Sequence, residues 1–171
     1  GEVWQVTGEG FAPHGQILHA GVPADAAGHP LLCETLQAVV LCNEADLHQR
    51  SGDWTWRGDA VDVALLNLGH KGRLKREQLI DQFPQVNQIP FESEHQFAAS
   101  FHRQKDSTLV FVKGAPERVL PMCVTAAADT TSTSRESWDE AAIRMAGRGL
   151  RVIAVAAGNI PRTVSRAEVP E

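Results

Sequence analysis

Apolar positions along this chain follow two rhythms, some recurring every three or four residues and others alternating or running without a break. Thr108-Leu-Val-Phe-Val112 is a continuous β-branched, aliphatic and aromatic run, which predicts a strand buried on both faces. It stops at Lys113, where Gly114 can take backbone angles closed to other residues and Pro116 presets the first turn of a helix. Phe97, Ala99 and Phe101 alternate with Ala98, Ser100 and His102, the period of a half-buried antiparallel strand. Gln104 to Ser107 then reads as the turn of a hairpin that joins 97–103 to 108–113.

Helical spacing appears elsewhere. Leu32, Leu36, Val39 and Asn43, with Leu41 and Cys42 alongside, predict a buried helix from about Leu31 to Leu47. A hydrophilic loop is expected from Asp46 to Asp53. Asp59 is a natural N-cap for a helix whose inner face is Val61, Ala64, Leu65 and Leu68 and which Gly69 should end. Lys71, Arg73, Lys75 and Arg76 follow, on a helix carrying Leu74 and Leu79, and read as a solvated basic face. Ser137-Trp-Asp-Glu140 has capping-box form, with Trp138, Ala141, Ala142 and Met145 as the apolar stripe of a helix ending near Gly147. Further strands are expected at Glu2–Val6, Gln16–His19 and Arg151–Ala156, and Val86 to Pro90 leads into another. Residues 21–30 read as a connection, 125–134 as a surface loop and 161–171 as a linker. Hairpin-type strands mixed with helices, without regular βαβ alternation, indicate the α+β class: an antiparallel β-sheet flanked by helices.

Composition narrows the partners. At 171 residues the chain is one domain, and 43% hydrophobic with 22% charged residues is globular usage. A formal net charge of -5 supplies no overall attraction for nucleic acid or anionic lipid, so a polyanion has to be caught by a local basic cluster. No apolar run approaches the ~20 residues of a bilayer span. Cys33, Cys42 and Cys123 lack metal-ligand spacing and are expected as reduced, mostly buried thiols, and the seven histidines include no His-x-x-x-His pair, so no metal site is expected. The chain opens inside an expected strand without methionine, so a domain cut from a longer protein is expected. Gly8, Gly10 and Gly15 imitate a phosphate loop, but no Gly-Lys-Ser/Thr follows them.

Lys113 is the more interesting cation. At the mouth of a strand and beside Gly114, it could seat a phosphate or another anion, or it could be an exposed lysine in an ordinary strand-to-helix turn.

Four segments in order carry a resemblance. Lys113-Gly-Ala-Pro-Glu117 after an apolar strand is similar to the nucleotide-binding domain of P-type cation-transporting ATPases. Gly58-Asp-Ala-Val-Asp-Val-Ala-Leu-Leu66 resembles the family's Gly-Asp-x-x-Glu-x-Ala-Leu segment, Ile89-Pro-Phe-Glu-Ser-Glu-His95 its Pro-Phe-x-Ser segment, and Gly149-Leu-Arg-Val-Ile-Ala-Val155 its Gly-Leu-Arg-Val strand. The set is closer to the Ca2+ and Na+/K+ type pumps than to the heavy-metal pumps, and the short loops resemble bacterial members.

The resemblance implies ATP as ligand. It puts Phe91 where the family stacks adenine, a contact worth about 1–3 kcal/mol by alanine substitution. Asp62 falls where the family has a glutamate that accepts from the adenine amino group, one methylene shorter here. Lys113 lies deep in the implied pocket, Gly114 leaves room for the base, and Arg151 meets the phosphates. Ser93 is a further polar contact. Gln96 stands where many relatives have a lysine, and Ala98 where a methionine or glutamine often packs near the base, so loose binding is expected, with a dissociation constant on the order of 0.1–1 mM or weaker.

The family phosphorylates an aspartate in an Asp-Lys-Thr-Gly segment with Mg2+ assisting, and this sequence contains no such segment. The chain is therefore expected to bind ATP and release ADP without hydrolysing ATP, to hold neither catalytic residue nor metal of its own, and to present the γ-phosphate to a phosphorylation domain of the same polypeptide on the cytoplasmic face of a membrane transporter. A monomer is expected, without nucleic-acid or direct membrane contact. Two rivals are a non-catalytic protein-interaction module and a self-sufficient hydrolase. The latter lacks a Gly-x-Ser-x-Gly elbow or a metal-ligand cluster.

Overall fold

The computed structural model describes residues 2–123 and 135–161. Among them nine strands form three antiparallel sheets, accompanied by five α-helices, the α+β class expected. The largest sheet has the order β6-β7-β8-β9, from Gln85–Ile89, Phe97–Arg103, Ser107–Gly114 and Ala154–Pro161. Three short strands, β1 (Trp4–Val6), β2 (Ile17–His19) and β3 (Val22–Pro23), make a second sheet. β4 (Asp46–Arg50) and β5 (Asp53–Arg57) make a two-stranded ribbon.

Helix α1 (Pro30–Leu41) packs against β8, β9 and α2 (Ala60–Lys71). Its Ala38, Val39, Val40 and Leu41 join Val63 and Leu66 of α2, Leu109 and Phe111 of β8, and Leu79 of α3 (Arg76–Gln82) in one core cluster. Asp59 caps α2 as expected, its Oδ1 accepting the Val61 N–H at 2.8 Å. Pro116 opens the short α4 (Pro116–Val119), and α5 spans Arg135–Ala146.

Several expectations are corrected. α1 stops at Leu41 rather than Leu47, because Cys42 leaves the helical region and the Asn43 side chain turns back to the Val39 carbonyl while its Oδ1 takes the Ala45 N–H. The expected loop at 46–53 is instead β4 and the turn of a hairpin, closed by Ser51 and Gly52, both at positive φ. α2 runs through Gly69 to Lys71, and the glycine there serves packing: a Cβ would collide with Cγ2 of Val40 on α1. Ser137 lies inside α5 and does not begin it.

β7 also departs from its pattern. Ala98, Ser100 and His102 are its buried side, and Phe97 and Phe101 are half-buried. Small residues let the core helices approach, and the polar pair is satisfied internally: His102 is hydrogen-bonded through Nε2 to Ser100 Oγ and through Nδ1 to the Phe83 carbonyl, both at 2.9 Å. Burial holds the His102 imidazole below its ordinary pKa. β8 is buried on one side, at Leu109, Phe111 and Lys113, and half-buried on the other. β9 begins at Ala154, three residues later than expected, and runs to Pro161 because it pairs with the whole of β8.

The basic patch is a solvated face only in part: Arg73 and Lys75 are exposed, whereas Lys71 and Arg76 are engaged by the backbone. Lys71 donates to the Thr7 carbonyl at 2.8 Å, Arg76 donates to the carbonyls of Asn43 (2.7 Å) and Ala45 (2.5 Å), and Arg73 meets Asp25 at 3.6 Å. Cys42 is buried, Cys33 half-buried and Cys123 exposed, against the expectation of mostly buried thiols. The expected loop at 125–134 and the tail from 162 lie outside the described residues.

Candidate functional site

The end of the central sheet where β8 meets α4 gathers most of the residues singled out above. Lys113 is paired with Ala98 on β7 and Val155 on β9, and only 5% of its surface is exposed. An ammonium so placed needs a partner, since an isolated buried charge costs several kcal/mol. Its Nζ donates to Oδ1 of Asp62, in the first turn of α2, where the helix dipole also favours a carboxylate. Asp62 and Lys113 are therefore brought together, and each is engaged within the protein. The exposed-lysine reading of Lys113 is corrected by this burial, and its ammonium is neutralised by Asp62.

The network continues outward. Asp62 Oδ2 accepts the backbone N–H of Glu44 at 3.0 Å, and its carbonyl accepts from Asn43 Nδ2 at 2.9 Å. The Glu44 carboxylate in turn accepts the backbone N–H of Phe91 at 2.9 Å. Through these bonds β8, α2, the turn after α1 and the β6–β7 loop are tied in series. The Phe91 ring is half open to solvent, at 50% exposure. Cys42, whose thiol donates to the Ala98 carbonyl at 3.5 Å, lies beside the pair. Burial pushes its pKa up to about 11, against the pull of Lys113 and a Ser100 hydrogen bond, so it stays protonated at neutral pH.

Gly114 owes its place to a close approach. It has no positive φ, and the backbone freedom expected of it is not used. A Cβ there would overlap the Gln96 carbonyl oxygen and come within 2.7 Å of Phe97 Cα, so the space it keeps clear is filled by the neighbouring strand. Gln96 is at φ 60°, its carbonyl accepts the Ala115 N–H at 2.9 Å, and its Oε1 accepts from Arg118 Nε at 3.4 Å. A guanidinium from α4 thus stands against Gln96, the position where the resemblance leads one to expect a lysine. Ala98 is 3% exposed and belongs to the core cluster.

Ser93 is exposed in the β6–β7 loop. Arg151 is also exposed, three residues ahead of Ala154, which pairs with Gly114, and it makes no ion pair among the described residues. Lys113, Asp62 and Phe91 are linked in series through Glu44, and Gln96 and Gly114 meet where β7 begins; among the described residues no hydrogen bond or ion pair joins Ser93 or Arg151 to them. An open hollow of about 670 Å³, lined by Phe83, Pro84, Arg103, Gln104 and Ser107 among others, lies at the opposite end of the β7–β8 hairpin and includes none of these residues.

Sequence reasoning missed Glu44 and its supports Asn43 and Arg76. The available signal was the polar pair Asn43-Glu44 directly after the apolar Val39–Cys42, a helix-stop pattern.

Comparison with known proteins agrees in extent. The family profile described as P-type ATPase, cytoplasmic domain N, matches residues 32–170. The chain is 36% identical over 159 residues to Cation-transporting ATPase pma1 of Synechocystis sp., covering 91% of this chain and 16% of that protein. It is 27% identical over 162 residues to a Calcium-transporting ATPase of Bacillus subtilis, covering 91% and 18%. A Sodium/potassium-transporting ATPase subunit alpha-4 of Homo sapiens is 29% identical over 139 residues, covering 74% and 14%. The chain spans less than a fifth of the length of each of these relatives. No helix among the described residues is long and apolar enough to cross a membrane.

Proposed function

The chain belongs to the P-type cation ATPases, as their cytoplasmic domain N, and from that premise we propose that it binds the adenosine part of ATP and holds the nucleotide for a phosphorylation domain of the same polypeptide. The chain in this reading is one nucleotide-binding domain of a larger ion pump. The observation that supports the reading best is the linked set Lys113, Asp62, Glu44 and Phe91, which joins the central sheet to a half-open aromatic ring.

Each part has a chemical task. The open face of Phe91 offers a stacking surface for adenine. Asp62 is tied to the Phe91 backbone through Glu44, but both its oxygens already receive hydrogen bonds, so any contact with the adenine amino group uses a remaining lone pair or a bridging water. Lys113 is neutralised by Asp62, which leaves Arg151 as the exposed cation for phosphate oxygens among the positions the resemblance points to. Gln96 and Ser93 lie in the same loop as the ring. With Phe91 as the open ring and Arg151 as the cation available to phosphate among these positions, binding is weak, on the order of 1 mM, as suits a module that releases ADP in every cycle. Mg2+ enters with the nucleotide triphosphate and is held mainly outside this domain, and the domain contributes positioning to phosphoryl transfer.

Titrating ATP into the purified chain while recording backbone amide shifts tests this. Saturable shifts at Phe91, Lys113 and Arg151, without release of phosphate, are expected. An intact fold with unchanged spectra would point to a protein-interaction module instead.

A further inference from the structure

We infer that Glu44 is a positioning residue for the ring of Phe91, an assignment that rests on the nucleotide reading above and adds a residue to it. Phe91 follows Pro90, which has no N–H, and its side chain is half exposed, so packing alone does not fix the ring. Its direction depends on how the backbone is anchored. Among the described residues, the hydrogen bond from Phe91 N–H to the Glu44 carboxylate, at 2.9 Å, is the one that ties the 90–96 loop to the α1–α2 layer. A carboxylate acceptor makes it charge-assisted, and stronger than a neutral bond of the same length.

Glu44 itself is held with unusual care for a residue exposed to solvent. Its own N–H is taken by Asp62. The carbonyls on either side of it, of Asn43 and Ala45, are both taken by the single guanidinium of Arg76. Asn43 folds its amide back onto Val39 and across to Asp62, and its Oδ1 receives the Ala45 N–H. Ending a helix requires only part of this. The remainder orients the Glu44 side chain, and through it the loop that carries Phe91.

The test uses the whole chain with Glu44→Ala and Glu44→Gln. Exchange of the Phe91 amide proton, measured without nucleotide, is expected to quicken about tenfold or more in Glu44→Ala, and ATP affinity to fall about threefold to tenfold. Glu44→Gln retains an acceptor oxygen and should recover most of both. If Glu44→Ala does not fold, Glu44→Asp, one methylene short of Phe91, takes its place with the same expectations. Unchanged Phe91 exchange and ATP affinity, in a background where Phe91→Ala does weaken ATP, would overturn the assignment alone. Absence of ATP binding by the unaltered chain would overturn the nucleotide reading and this role with it.

Discussion

The candidate site has an inward half and an outward half that are built on opposite terms. Inward, the buried Lys113 and the half-buried Asp62 neutralise each other, and Gly114 is pressed against the next strand. Outward, Phe91, Ser93 and Arg151 are exposed. The difference separates two tasks that a motif reading merges. A residue embedded in a signature can serve by holding the frame, and only the open residues have surface left for a ligand. Glu44 stands at the seam, taking a hydrogen bond from the outer half and giving one to the inner.

The largest effect should come from breaking the inner pair. Lys113→Met leaves the half-buried Asp62 carboxylate without its partner, and a loss of about 2–4 kcal/mol in urea denaturation is expected. Replacing both, as Lys113→Met with Asp62→Leu, should restore much of it, because the uncompensated charge is then gone. A Lys113→Met chain of normal stability that fails only to bind ATP would erase the distinction between the halves.

Gly114→Ala comes next. The added methyl meets the Gln96 carbonyl and the Phe97 backbone rather than a flexible side chain, so overpacking of about 1–3 kcal/mol is expected. Because the strain falls on the strand that starts β7, amide shifts should spread along 96–99 before any nucleotide is added. A neutral Gly114→Ala with weakened ATP binding would instead make the glycine a ligand-facing position.

How much of this was legible beforehand follows from what each segment reports. The β7–β8 hairpin could be read because both strands carry apolar side chains with a polar turn between them. The β4–β5 ribbon could not: only Leu47 is buried in β4, so hydrophobic periodicity is silent, and the usable clue was the two-residue Ser51-Gly52 turn before Trp54 and Trp56. The end of β9 was hidden for the same reason, since Ala157, Gly158 and Asn159 are exposed and pair through backbone alone. At the site, residue types and family segments picked out Asp62, Phe91 and Lys113, but not that two of them neutralise each other. Pairing across 51 positions leaves no periodic trace in the sequence. Arg76 was misread because its partners are backbone carbonyls of a distant turn.

On the outer half, Phe91→Ala should weaken ATP by about 1–2 kcal/mol while leaving the urea midpoint within about 0.5 kcal/mol, since the ring is half in solvent. Parallel loss of stability and binding would assign Phe91 to the frame.

Arg151→Gln carries the smallest effect and the sharpest condition. An exposed guanidinium meeting phosphate in water contributes little and is screened by salt, so ATP affinity should fall only about threefold at low ionic strength. The difference should shrink as salt is raised towards about 0.5 M, where the Debye length is only a few ångströms. Stability should stay within about 0.3 kcal/mol, because no ion pair of Arg151 is lost among the described residues. Adenosine supplies the control that separates base from phosphate. If Arg151 meets phosphate oxygens, adenosine binding is indifferent to the change while ATP binding is not. Equal losses for the two ligands would place Arg151 near the base, and a salt-independent loss would make its contribution packing of the aliphatic stem rather than charge.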